Sequence, residues 1–422
     1  MSTIPGACES SERIPPVARW LSIDDLSLAA RRDSERHGLQ FCYDLLNSGA
    51  LNHAKDHAGA LHGSTCTVDT TRIAIGGYSV LFHLLFDGTD QCWILRIRLP
   101  RLGESLSPQQ QLAESLLLES EISTMLYVRA KSNIPVPDVY GYDTSFSNPL
   151  GHPYMFIERV LGIAAMWATM SCTPNQRRRL IRDMARIVHE LGTLTFPEIG
   201  QLRFATTSLD KISVGKLVTR PGHIIGPFRT STEYYRSRTS LLRDQLERED
   251  NNQTTAMRFT TSDDSKRHPD QRAVHLGIHA GTLLQEWSIV DKSAGGPFPL
   301  KHPDLSFQNV LVNDEFGVVA VLDWSFASTV PPEEFGYFHT PATSRLPFVM
   351  QETDEQVATD RRYFLMCLEN ERRERGSPLH LCRILLSEHT EIASCLAALE
   401  MGRPEATFVP KLAQLISTYF PL

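Results

Sequence analysis

Residues 299–324 read Pro299-Leu300-Lys301-His302-Pro303-Asp304-Leu305-Ser306-Phe307-Gln308-Asn309-Val310-Leu311-Val312-Asn313-Asp314-Glu315-Phe316-Gly317-Val318-Val319-Ala320-Val321-Leu322-Asp323-Trp324. Val310–Val312 and Val318–Leu322 are β-branched or apolar runs, and the residues between them, Asn313–Gly317, are turn formers. The pattern predicts a hairpin whose turn is centred near residue 315 or 316. Asn309 and Asp323 straddle that centre almost evenly, so both leave the hairpin at its open end. Side chains on neighbouring strands stand ~4.5–5.5 Å apart. One Mg²⁺, with ligands at ~2.0–2.1 Å, is therefore within reach of both. Asp304 enters the same end five residues before Asn309. A carboxylate to orient an acceptor hydroxyl, with an amide and a second carboxylate to hold metal on nucleotide phosphates, is the set that phosphoryl transfer needs. The stretch 299–324 is thus read as a catalytic hairpin.

Upstream, Thr71–Ile75, Val80–Phe86 and Cys92–Leu99 predict three short antiparallel strands. Gly76-Gly77 separates the first two and Asp87-Gly88 the second pair, a hairpin signal. Ser107-Pro108 opens a helix, with Leu118, Ile122, Met125 and Leu126 at helical spacing. Ile134-Pro135-Val136-Pro137 ends it. Two more strands are expected at 138–142 and 154–160. Beyond Gly162 the chain reads as mostly helical: Thr173-Pro174-Asn175-Gln176 is a capping box, and 353–372, 379–400 and 405–417 carry helical patterns. A further helix is expected near Leu39–Leu51.

The domain reading has three parts. Residues 1–65 form a variable N-terminal extension, 66–162 a small β-rich nucleotide-binding lobe, and 163–422 a larger α-rich lobe. Residues 249–272 are polar and almost without apolar periodicity, which predicts a mobile insert in the larger lobe.

Composition constrains the rest. The 422 residues include 42 Lys+Arg and 49 Asp+Glu, a formal charge of −7, with 41% hydrophobic residues. This argues against a basic nucleic-acid footprint. No apolar run approaches the ~20 residues of a membrane span, and Met1–Glu12 lacks the pattern of a secretory leader. The eight cysteines are scattered with no CxxC pair, which fits a reducing compartment. The expected location is cytoplasmic.

With these residues in place, the chain resembles the aminoglycoside phosphotransferase family, relatives of choline kinases within the protein-kinase-like fold. His302-x-Asp304-x-x-x-x-Asn309, an apolar hairpin and Asp323-Trp324 match the family's catalytic and metal-binding pattern. The similarity runs over roughly 70–345. The resemblance implies a two-lobed α+β architecture, and ATP and Mg²⁺ as nucleotide and metal. It implies Asp304 as the catalytic base, with His302 bonding the catalytic loop, and Asn309 and Asp323 as metal ligands. Gly76, Gly77 and Ser79 resemble the nucleotide loop. Arg96 stands where the family commonly has Lys, on a strand that meets the α- and β-phosphates, and Glu121 resembles the helix Glu that pairs with it. Glu158–Val160 resembles the segment whose backbone bonds adenine. The loop lacks a full Gly-x-Gly-x-x-Gly, and Arg swaps a compact ammonium for a planar fork.

The function expected is transfer of the γ-phosphoryl of Mg-ATP to a hydroxyl of a small molecule that the sequence does not name. The alternative is a catalytically weak nucleotide-binding scaffold that regulates a partner. A protein-hydroxyl kinase is disfavoured, because neither Asp-Phe-Gly nor Ala-Pro-Glu is present. Neither nucleic acid nor membrane is an expected partner, and the oligomeric state is not legible.

Overall fold

The computed structural model describes residues 33–99, 106–204, 212–220, 222–256, 271–290, 295–335 and 354–377, together with parts of 381–396 and residue 414. Its chain divides into two compact units, one of residues 1–107 and 139–159, the other of 108–138 and 160–422.

The first unit is built on a five-stranded antiparallel sheet in the order β1-β2-β3-β5-β4. Its strands are β1 (Cys66–Ile75), β2 (Ser79–Phe86), β3 (Cys92–Arg98), β4 (Val139–Asp143) and β5 (Tyr154–Glu158). Alternation along β2 and β3 sends Val80, Phe82 and Leu84, and Trp93, Leu95 and Ile97, to one buried face. That face needs a cover. Helices α1 (Asp33–Ser48) and α2 (Leu51–His62) supply it, through Phe41, Cys42, Leu45, Leu51, Ala54 and Ala58. The described part of the expected N-terminal extension is therefore built into this unit's core rather than appended to it.

Helix α3 (Pro108–Lys131) begins where Ser107-Pro108 predicts. It groups with the second unit, although its place in the sequence had put it in the small lobe. The reason is its packing: Ala113 and Leu117 form a cluster with Val218, against which Phe326 also packs.

The second unit carries short sheets and long helices. β6 (Ile163–Ala164) pairs with the hairpin formed by β13 (Val310–Val312) and β14 (Val318–Val321). Helix α4 (Pro174–Thr193) starts at the expected capping box, in which Thr173 and Gln176 each bond the other's backbone N–H. It buries Leu180, Met184, Ile187, Val188 and Leu191 along one stripe. β7 (Thr195–Phe196), β12 (Phe298–Lys301) and β15 (Ser328–Thr329) form a second small sheet. Two two-stranded pieces are β8 (Gln201–Phe204) with β9 (Ile212–Gly215), and β10 (Leu217–Val218) with β11 (Ile224–Ile225). Helices α5 (Ser231–Ala256), α6 (Gln271–Val290) and α7 (Asp354–Glu374) complete the unit.

The expected insert at 249–272 is corrected at both ends, because α5 runs on to Ala256 and α6 starts at Gln271. Residues 257–270 lie outside the described residues, as does, apart from Gln414, the expected helix at 405–417. Within 379–400 a helix is described over Leu381–Leu385. Among the described residues no helix is long and apolar enough to cross a membrane.

Candidate active site

The hairpin sets the geometry. Val310 pairs with Val321 and Leu311 with Ala320, and the Leu322 N–H donates to the Asn309 carbonyl at 2.8 Å. Asn309 thus stands opposite Leu322, and Asp323 lies one residue beyond, at the same open end. The turn closes as its residue types dictate: Asn313 Oδ1 accepts the Gly317 N–H at 2.9 Å. Gly162 lets the segment before β6 approach closely. A Cβ there would stand 3.0 Å from both the Val312 carbonyl and Val319.

The loop into the hairpin is folded on itself. Leu305 and Phe307 are buried anchors. Residues Phe307–Asn309 make one 3₁₀ turn, and the Asn309 N–H donates to the Ser306 carbonyl at 3.0 Å. The Asn309 side-chain Nδ2 donates to the Asp304 carbonyl at 2.9 Å. The half-buried Asp304 carboxylate accepts, through Oδ2, a hydrogen bond from Gln308 Nε2 at 2.8 Å.

His302 lies beneath this loop, 1% exposed. The Asp304 N–H donates to His302 Nδ1 at 3.2 Å, so Nε2 carries the ring proton and donates to the Leu322 carbonyl at 3.0 Å. Burial holds the imidazole below its ordinary pKa, against the pull of Asp323 and Asp304, in keeping with this neutral tautomer. Its ring meets Trp324 edge-to-face, centroids 4.7 Å apart.

Asp323 is exposed and takes φ 59, and Phe326 takes φ 66. Asp tolerates the left-handed region, whereas for a bulky aromatic it is an outlier. The turn is held from several sides. Trp324 Nε1 donates to the Val321 carbonyl at 2.9 Å, and Ser325 Oγ donates to Glu121 Oε2 at 2.8 Å. The Phe326 ring stands 5.0 Å from the Arg220 guanidinium. Glu121, 1% exposed, is buried rather than solvated at the edge of its helix. Glu119 lies instead at the limit of an ion pair with Arg203, at 4.0 Å.

In the first unit, the Gly76 N–H donates to the Ser79 carbonyl at 2.8 Å and closes the turn. Both Gly76 and Gly77 are exposed, and a Cβ on Gly77 would meet nothing within 4 Å. The turn's own backbone therefore does not demand glycine at 77. Arg96 Nε donates to Ser79 Oγ at 3.1 Å. Glu158 ends β5, paired with Trp93. Val160 begins the second segment of the second unit.

The donors suit a hard cation. Asn309 spends its amide nitrogen on the Asp304 carbonyl, so its side-chain oxygen and the Asp323 carboxylate are the oxygen donors at this end of the hairpin. Mg²⁺ prefers oxygen donors and keeps waters and substrate phosphates as its remaining ligands. Among the described residues no group of three or more His, Cys, Asp or Glu is placed to hold a metal ion. Gln308 and Ser325 were not singled out from sequence. The i, i+4 spacing of Gln308 from Asp304 was the available signal for the first. The partner of Ser325 lies 204 residues away, and no sequence pattern announces it.

The second unit thus gathers Asp304, Asn309 and Asp323 at one open end of a hairpin in a chain of mixed α+β structure. The sequence profile of the phosphotransferase enzyme family, APH, matches residues 70–376, and the chain belongs to that family. It is 25% identical over 312 residues to a subtelomeric hrmA-associated cluster protein of Aspergillus fumigatus, a match covering 62% of this chain and 58% of that protein. The chain thus spans somewhat over half the length of that relative. Among solved structures, a Plasmodium vivax ethanolamine kinase is 15% identical, covering 84% of this chain and 81% of that one, with TM-score 0.45. The streptomycin–ATP–APH(2")-IIa ternary complex is 10% identical, covering 85% and 94%, with TM-score 0.43.

Proposed function

We propose that this chain transfers the γ-phosphoryl group of ATP to a hydroxyl of a small molecule. The observation that carries the reading is the loop 302–309, where one amide, Asn309, bonds the Asp304 carbonyl at the open end of the hairpin that also presents Asp323. In this reading Asp304 orients the acceptor hydroxyl and takes its proton. The acceptor oxygen bonds to the γ-phosphorus, the bond from that phosphorus to the β,γ-bridging oxygen breaks, and ADP leaves with the electron pair. Asn309 and Asp323 would hold Mg²⁺, which would neutralise charge on the phosphate oxygens. Arg96, braced by Ser79, contacts phosphate. Gly76 and Gly77 let the loop backbone approach the nucleotide, Glu121 supports the arrangement, and the backbone of Glu158–Val160 takes adenine. His302 holds the loop in register.

The test is ADP formation from Mg-ATP, with water as acceptor and across a library of hydroxyl-bearing metabolites. Wild type is expected to turn over. Asp304→Asn should lose about 10²–10⁴-fold, the usual worth of a positioned acid–base group, while Mg-ATP affinity stays within about twofold because the carboxylate faces the acceptor. Mg-ATP binding without turnover in any arm would return the scaffold reading, and absence of binding would remove both.

A further inference from the structure

We infer that Gln308 is a positioning residue that aims the Asp304 carboxylate. The inference rests on the reading of Asp304 as the base. Gln308 sits in the 3₁₀ turn between the buried Phe307 and the hairpin strand, so its backbone is pinned. Its Nε2 donates to Asp304 Oδ2 at 2.8 Å. Asn309, the next residue, clasps the Asp304 carbonyl, and the Asp304 N–H is tied to His302. The backbone of Asp304 is thereby fixed at both its N–H and its C=O, while the carboxylate retains rotation about its own bonds. Among the described residues, the Gln308 hydrogen bond is what stops that rotation. With Oδ2 engaged, Oδ1 is the oxygen presented to an acceptor. An amide donor does this without adding charge beside the metal ligands, and charge-assisted hydrogen bonds of this kind are directional and short.

A change at this position tests the assignment. Glu at 308 would match Gln in size and reach yet would offer an oxygen where Asp304 needs an N–H. The two carboxylates would then repel and the base would swing away.

The experiment measures ADP formation from Mg-ATP with water as acceptor, and Mg-ATP affinity by calorimetry, in wild type, Gln308→Glu, Asp304→Asn and the double variant. Gln308→Glu is expected to lower kcat about 10- to 100-fold, the worth of one charge-assisted hydrogen bond, with Mg-ATP affinity within about twofold. Because Gln308 acts through Asp304, the double variant should be no slower than Asp304→Asn alone, as interacting sites are non-additive. Gln308→Lys, which restores an N–H donor of similar reach, should recover part of the loss. Full turnover in Gln308→Glu, or additive losses in the double variant, would overturn the positioning role while leaving Asp304 as base. A wild type without Asp304-dependent turnover would overturn both.

Discussion

Ser325 Oγ donates to Glu121 Oε2 at 2.8 Å, joining the turn that follows Asp323 to the middle of α3. The donor is 5% exposed and the acceptor 1%, so neither end trades freely with water. The turn contains two residues of positive φ, a conformation that persists only where neighbours enforce it. This bond is one of the enforcers, and it ties the orientation of Asp323 to a helix far away in sequence.

Ser325→Ala should therefore cost about 1–3 kcal/mol of stability, the penalty for removing a donor from a buried acceptor. Denaturant unfolding would measure it. Mg²⁺-dependent tightening of ATP should weaken as well, because the metal carboxylate loses its support. Unchanged stability and unchanged Mg²⁺ response would show that the bond supports nothing.

Asp323→Ala should abolish the Mg²⁺-dependent tightening of ATP binding, and Asn309→Ala should reduce it, since Asp323 carries the formal charge. Metal-free ATP should bind Asp323→Ala at least as well as wild type, because a carboxylate facing triphosphate is gone. Calorimetry with and without Mg²⁺ checks both. Retention of the wild-type Mg²⁺ enhancement in Asp323→Ala would move the metal elsewhere.

Arg96→Ala should weaken ATP binding more than AMP binding, by about 1.5–3 kcal/mol for each charge-assisted hydrogen bond to phosphate that the truncation removes. Ser79→Ala should show the same preference in smaller measure, because Ser79 accepts from Arg96 Nε. Titration of each variant with both nucleotides measures the difference. Equal weakening for both would count against a bond from Arg96 to phosphate.

His83 predicts a pH dependence of stability. Burial, with help from Arg159 and Arg72, pushes its pKa down from 6.5 to about 4, against Asp69. The folded state then binds fewer protons than the unfolded state between those values. Stability is full above pH 6.5 and is lost as pH falls through the window to about 4, by about 3 kcal/mol at most. Thermal melts from pH 4.5 to 7.5 should show this slope in wild type and a flatter one in His83→Leu. Parallel slopes would remove His83 as the cause.

The geometry of the candidate site's hairpin was legible because its residues are close in sequence. The hairpin, its turn and the spacing of His302, Asp304, Asn309 and Asp323 are local, and the two apolar runs pair about the expected turn, Val310 with Val321. The capping box at Thr173 and the start of α3 at Pro108 are likewise one-turn features. The insert was misjudged at its edges because polarity alone does not end a helix: α5 continues to Ala256 through a segment with little apolar character.

Sequence by itself determined the five strands of the first unit, the helix starts at Pro108 and Pro174 and the hairpin of 310–322, because propensity, capping and turn chemistry act over a few residues; the short strands between Ile163 and Lys301 were missed, the region having been read as mostly helical. Tertiary structure alone decided which distant residues share a hydrogen bond and which faces are covered. The helices of 33–62 were needed to bury the sheet face of Phe82 and Leu95, a demand set by area rather than by any motif. The buried Glu121 meets Ser325, 204 residues on, since a buried carboxylate must find donors wherever the fold brings them.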